Sequence, residues 1–89
     1  MTTRILEIVN QKGLHARASA KFVECVEQFN ASATVRKDGL DASGDSIMGL
    51  LMLAASLGTT IEVETTGAEA EALADALAAL VSARFGEDV

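Results

Sequence analysis

His15 is the single histidine of this 89-residue chain, and its neighbours are of types that handle anions. Gly13 and Leu14 precede it, Arg17 stands two places on, and from Ala16 the pattern turns helical. Apolar residues recur at Ala18, Phe22, Cys25, Val26 and Phe29, the spacing of one helical face. His15 is therefore predicted at the entrance of a helix, close to its N-cap. The first N–H groups of a helix have no internal partner and carry partial positive charge, which suits an anion and above all a phosphate. Arg17 can bring a guanidinium to the same anion, Gly13 frees the approaching loop of Cβ sterics, and Leu14 can pin that loop to a core. A neutral imidazole is a competent nucleophile. Together these residues describe a histidine that accepts a phosphoryl group, held by the amides of Ala16 and Arg17 and by the guanidinium. A helix terminus stabilises such a charge by ~0.3–2 kcal/mol and a surface ion pair by ~4 kcal/mol before solvation costs, which suits a carrier better than a trap.

The same residues also fit a plain surface histidine, or a cap satisfied by its own hydrogen bonds. A metal site is disfavoured, because one histidine and one cysteine cannot supply the usual ligands. A Cys25/His15 catalytic pair is disfavoured too, since Cys25 falls on the apolar face of the predicted helix.

Ser46 is the second residue of interest. It opens "SIMGLLML", where its hydroxyl can cap a short apolar helix from Ile47 to about Leu53. A small acidic chain with Asp45-Ser46 ahead of apolar residues also mimics an acyl carrier, which bears a pantetheine arm on such a serine. Those carriers are all-helical, and the rest of this sequence is not. Arg4–Val9 reads as a strand. Ala33–Lys37 and Leu40–Ser43 flank Asp38-Gly39, a two-residue hairpin signal whose turn positions both need positive φ. Thr60–Thr66 alternates apolar and polar as a half-buried strand does. Glu69 to about Arg84 is an alanine-rich helix with its acids early and Arg84 late, as the helix dipole prefers. The order β-α-β-β-α-β-α, with one apolar face per element, predicts a two-layer α+β sandwich: one sheet with helices on one side. No linker or repeat divides the chain, so residues 1–89 read as one domain.

The composition sets bounds on function. With 49% hydrophobic residues but only three Phe and no Trp or Tyr, the core must be aliphatic. A net charge of −6 argues against nucleic acid as a partner. Within that acidic chain, the stretch between Glu7 and Glu24 holds no acid but contains Lys12, Arg17 and Lys21, a basic island suited to an acidic ligand or partner. The apolar run from Ile47 is too short to span a bilayer. A lone cysteine and the lack of a leader-like segment before the first strand lead us to expect a cytoplasmic protein.

"GLHARASAKF" resembles the active-site segment of the histidine-containing phosphocarrier protein (HPr) family of the phosphoenolpyruvate-dependent phosphotransferase system. Gly13, Leu14, His15, Ala16 and Arg17 match the family pattern in place, and Ser46, Ile47, Met48 and Gly49 match its second segment. The resemblance covers essentially the whole chain. It implies an open-faced β-α-β-β-α-β-α sandwich with a four-stranded antiparallel sheet and three helices on one face. It further implies a monomeric carrier, without cofactor, that takes a phosphoryl group on Nδ1 of His15 from enzyme I and passes it to an enzyme IIA domain. Arg17 would assist at the phosphate. Ile47, Met48 and Leu51, with Lys21 nearby, would form a partner-docking patch, although core packing is the competing role for those apolar residues. Ser46 resembles the site modified by HPr kinase/phosphorylase, and a phosphate there would add negative charge to the docking patch. Ala18 replaces the proline usual in the family, so the first helical turn loses a residue that fixes φ in advance. A regulatory binding module, signalling through Ser46 or in a nitrogen-linked branch, is the alternative end use.

Overall fold

The computed structural model describes residues 1–89. Thr2–Glu7 forms β1 and pairs antiparallel with β4, Thr60–Thr66, from Thr2 opposite Thr65 to Glu7 opposite Thr60. β4 pairs on its other side with β2, Ser32–Lys37, and β2 with β3, Leu40–Ser43. The result is one four-stranded antiparallel sheet in the order β1-β4-β2-β3. Its β2–β3 turn has φ 52° at Asp38 and 83° at Gly39, the positive pair that the Asp-Gly dipeptide predicts.

The first strand lies two residues earlier than its composition suggests. β4 supplies a partner only as far as Glu7, and the chain then bends away. Ile8 keeps two further backbone bonds, from its N–H to Thr59 and from Gly58 to its carbonyl, both 2.8 Å. Beyond it Asn10 is fully buried, at the start of the loop that leads to His15.

Three helices, α1 (Ala16–Glu27), α2 (Ile47–Met52) and α3 (Ala70–Ser82), cover one face of the sheet. The core between the layers joins Ile8, Val35, Ile61 and Val63 from the sheet side to Leu14, Phe22, Leu50, Leu73 and Leu77 from the helix side. It is aliphatic apart from phenylalanine, as the composition requires. Thr65, also fully buried, is satisfied by donating its hydroxyl to the Ala70 carbonyl at 2.7 Å. On the open face of the sheet Arg36 links Glu64 (2.8 Å) and Glu62 (3.0 Å), and those two hydrogen bonds hold its guanidinium pKa above the usual range. The sheet excludes the all-helical acyl-carrier alternative.

α3 ends at Ser82, short of Arg84. A 3-10 turn, Arg84–Gly86, follows, with Arg84 at φ 58° and Phe85 at φ 54°. Left-handed backbone at a non-glycine residue costs about 1–3 kcal/mol. Phe85, fully buried in the core, returns about 1.5–3 kcal/mol of apolar burial. Helix periodicity would carry Phe85 onward in register; its burial instead reverses the chain and folds the following residues back over the start of α1.

Candidate functional site

His15 is the N-cap of α1. Its backbone is extended (φ −80°, ψ −175°), and its carbonyl accepts from the Ser19 N–H at 2.8 Å. The ring makes two contacts, one at each nitrogen. Nδ1 accepts from the Arg17 N–H at 3.3 Å, and Nε2 meets the Glu87 carboxylate in a short hydrogen bond. A backbone N–H can only donate and an ionised carboxylate can only accept. These partners assign the proton to Nε2 and leave the lone pair on Nδ1.

Glu87 is itself held from the other side. Asn10 donates its Nδ2 to Glu87 Oε1 at 3.0 Å and to the Gly13 carbonyl at 2.9 Å. Glu87 has its pKa below the ordinary carboxylate value, first through the Asn10 hydrogen bond, with burial opposing and the His15 hydrogen bond adding to the effect. Gly13 sets the height of the loop. It lies at φ 68°, and a Cβ there would stand 2.4 Å from the Ala55 carbonyl oxygen. Leu14, buried, donates its N–H to that same carbonyl at 2.9 Å. The loop before the histidine is thus seated on the segment that follows α2.

The cations fall into two groups. Arg17 and Lys12 are exposed and have no ion-pair partner. Lys21 is half-buried and donates Nζ to the Phe85 carbonyl at 2.7 Å, fastening the 3-10 turn to α1. All three line an open cavity of about 300 Å³ together with Glu87 and Asp88. Ala18, fully buried, lies in the first helical turn. Cys25 is half-buried and free, and burial raises its thiol pKa, which disfavours a reactive thiolate. No three histidine, cysteine or carboxylate side chains converge in the way a metal ion would need.

Ser46 is the N-cap of α2, its Oγ accepting from the Gly49 N–H at 3.0 Å. Beyond it, Leu50 and Leu53 are buried, Leu51 is half-buried, and Ile47 and Met48 are 40% and 70% exposed. Met52 and Leu57, which the sequence did not single out, are also exposed, at 74% and 55%. Met52 follows Met48 by one helical turn, so its spacing could have flagged it. Asn10, Phe85 and Glu87 carry no such signal. Their importance comes from contacts such as the one between His15 and Glu87, which are 72 positions apart.

A histidine whose unprotonated Nδ1 accepts only a long bond from the Arg17 N–H, at a helix entrance beside unpaired cations, suits an anionic group on an α+β sandwich. The family described as "PTS HPr component phosphorylation site" matches residues 2–83. A phosphocarrier protein HPr from Neisseria meningitidis serogroup A is 51% identical over 88 residues, 98% of each chain. A phosphocarrier protein NPr from Shewanella violacea is 42% identical over 84 residues, 94% of this chain and 92% of that protein. The crystal structure of HPr-C-His from Thermoanaerobacter tengcongensis superposes with a TM-score of 0.94 at 35% identity, covering 100% of both chains. The chain belongs to the HPr family of phosphocarriers of the phosphotransferase system. No helix is long and apolar enough to cross a membrane.

Proposed function

We propose that His15 is the phosphoryl acceptor, through Nδ1, taking the group from enzyme I and delivering it to an enzyme IIA domain. The observation that carries this reading is the pair of ring contacts, which leaves Nδ1 as the nucleophilic nitrogen. The Arg17 N–H bond to Nδ1 is long at 3.3 Å, so it is readily surrendered, and the incoming phosphate oxygens can take up the amides of Ala16 and Arg17 in its place. The unpaired guanidinium of Arg17 adds a charge-assisted partner without first breaking an ion pair. Ile47, Met48 and Leu51, extended by Met52 and Leu57, form the docking patch, while Lys21, expected beside it, is instead tied to the Phe85 carbonyl and lines the cavity of Lys12, Arg17 and Glu87. Ser46 serves as the site of regulatory phosphorylation by an HPr kinase/phosphorylase, where a phosphate would set negative charge in that patch.

The test is incubation with phosphoenolpyruvate and a catalytic amount of enzyme I, followed by phosphorus NMR, with an IIA domain added afterwards. The expected result is an acid-labile phosphoramidate signal that is absent from His15→Ala and discharges into the IIA domain. A signal that persists in His15→Ala, or none while a known carrier reacts in parallel, would overturn the assignment.

A further inference from the structure

We infer that Glu87, held by Asn10, is a positioning residue that selects the reactive nitrogen of His15. This rests on His15 being the acceptor.

The ring of a neutral histidine exchanges between two tautomers unless a partner chooses between them, and only the nitrogen without a proton can attack phosphorus. A 3.3 Å bond from the Arg17 N–H is a weak selector. The short bond to Glu87 is a strong one, because its acceptor is charged and its side chain is only 14% exposed. Glu87 cannot swing away freely. Asn10 holds its second oxygen, Phe85 plugs the core two residues earlier, and Lys21 ties the Phe85 carbonyl to α1. Asn10 in turn is fully buried, and its amide is oriented by the Gly13 carbonyl within the loop that carries His15. Asn10, Glu87 and His15 thus form a chain of hydrogen bonds between the histidine loop and the segment after α3.

The chemistry then needs no proton shuttle. As Nδ1 bonds to phosphorus, the bond from phosphorus to the donor breaks, and Nε2 keeps its proton. The ring becomes an imidazolium beside the Glu87 carboxylate. Onward transfer breaks the N–P bond and returns the neutral ring with its proton still on Nε2. Glu87 therefore favours attack in one direction and keeps the ring a good leaving group in the other.

The experiment is 15N NMR of the imidazole in the full chain, unphosphorylated and at a pH where the ring is neutral, alongside phosphoryl-transfer rates. The wild type is expected to show a proton-bearing Nε2 and a lone-pair shift at Nδ1. In Glu87→Ala both resonances should move toward their average, and transfer should slow on the order of 10-fold, the lower end of what losing a histidine's outer partner costs at metal centres. Glu87→Gln, whose single amide oxygen must serve both the Asn10 amide and the His15 Nε2–H, should restore the Nε2–H signature only in part, and Asn10→Ala should shift it part of the way. Unchanged ring shifts in a folded Glu87→Ala would overturn the proposal, and so would equal shifts in the Ala and Gln variants. If Glu87→Ala does not fold, unchanged shifts in Asn10→Ala decide against it. Because the ring shifts are read without phosphate, they are independent of the outcome with His15→Ala.

Discussion

The residue that most constrains the site is not one that does chemistry. Gly13 combines a left-handed backbone with the approach of a backbone carbonyl where a Cβ would sit, at 2.4 Å. Gly39 has the same kind of backbone, φ 83°, but nothing within 4 Å of its would-be Cβ. The two form a matched pair. Gly39→Ala should cost only the left-handed penalty of about 1–2 kcal/mol. Gly13→Ala carries that penalty and must also push the loop off Ala55, so it should cost more in urea denaturation. It should slow phosphorylation as well, because His15 and Leu14 ride on the displaced loop, whereas Gly39→Ala leaves the rate near wild type. Equal stability losses in the two variants would show that the loop is not seated on Ala55. At this scale the sequence was legible where chemistry is local: Gly13, His15 and Arg17 stand together in the chain. Asn10 and Glu87 were not, since neither has a meaning until the fold brings them together.

Among the elements, the legible ones announce themselves with short-range physics. Asp38-Gly39 specified a hairpin, the alternation of Thr60–Thr66 gave β4 its full length, and Ser46 capped α2 as its position suggested. The boundaries that shifted did so for tertiary reasons. β1 is set by where β4 begins and ends, and α3 stops early because Phe85 is drawn into the core. α2 also separates stability from docking in a testable way. Ser46→Ala removes the bond to the Gly49 N–H and should destabilise by about 1 kcal/mol while leaving the proposed docking patch uncharged. Ser46→Asp keeps a capping oxygen, so thermal stability should stay closer to wild type. It also adds a negative charge next to Ile47 and Met48, so that, if they form the proposed docking patch for a phosphorylated partner, phosphoryl exchange with enzyme I should slow. Thermal melts and transfer rates on the two variants should therefore rank in opposite orders. Parallel ranking would mean that the serine acts on function only through the helix.

The whole molecule closes on His15. β1 leads into the loop of Asn10 and Gly13, and α3 leads, through Phe85, into Glu87, so the two ends of the secondary structure meet at the ring of His15. Loosening that junction should be visible in the pH dependence of folding. Glu87 has its pKa lowered in the folded state, chiefly by Asn10, so the unfolded chain binds its proton more readily. Stability therefore rises with pH across that window. The contribution is complete above the ordinary glutamate value of about 4.3 and disappears as pH falls through the lowered folded value. Glu87→Gln lacks it at every pH. Urea midpoints should accordingly differ between wild type and Glu87→Gln at pH 7 and converge in acid. Glu24→Gln, at an exposed carboxylate on α1, makes the same change in net charge and serves as the control for that change. A gap of constant size from neutral to acid pH would mean that Glu87 contributes through shape and not through its charge, and that the junction at His15 is steric.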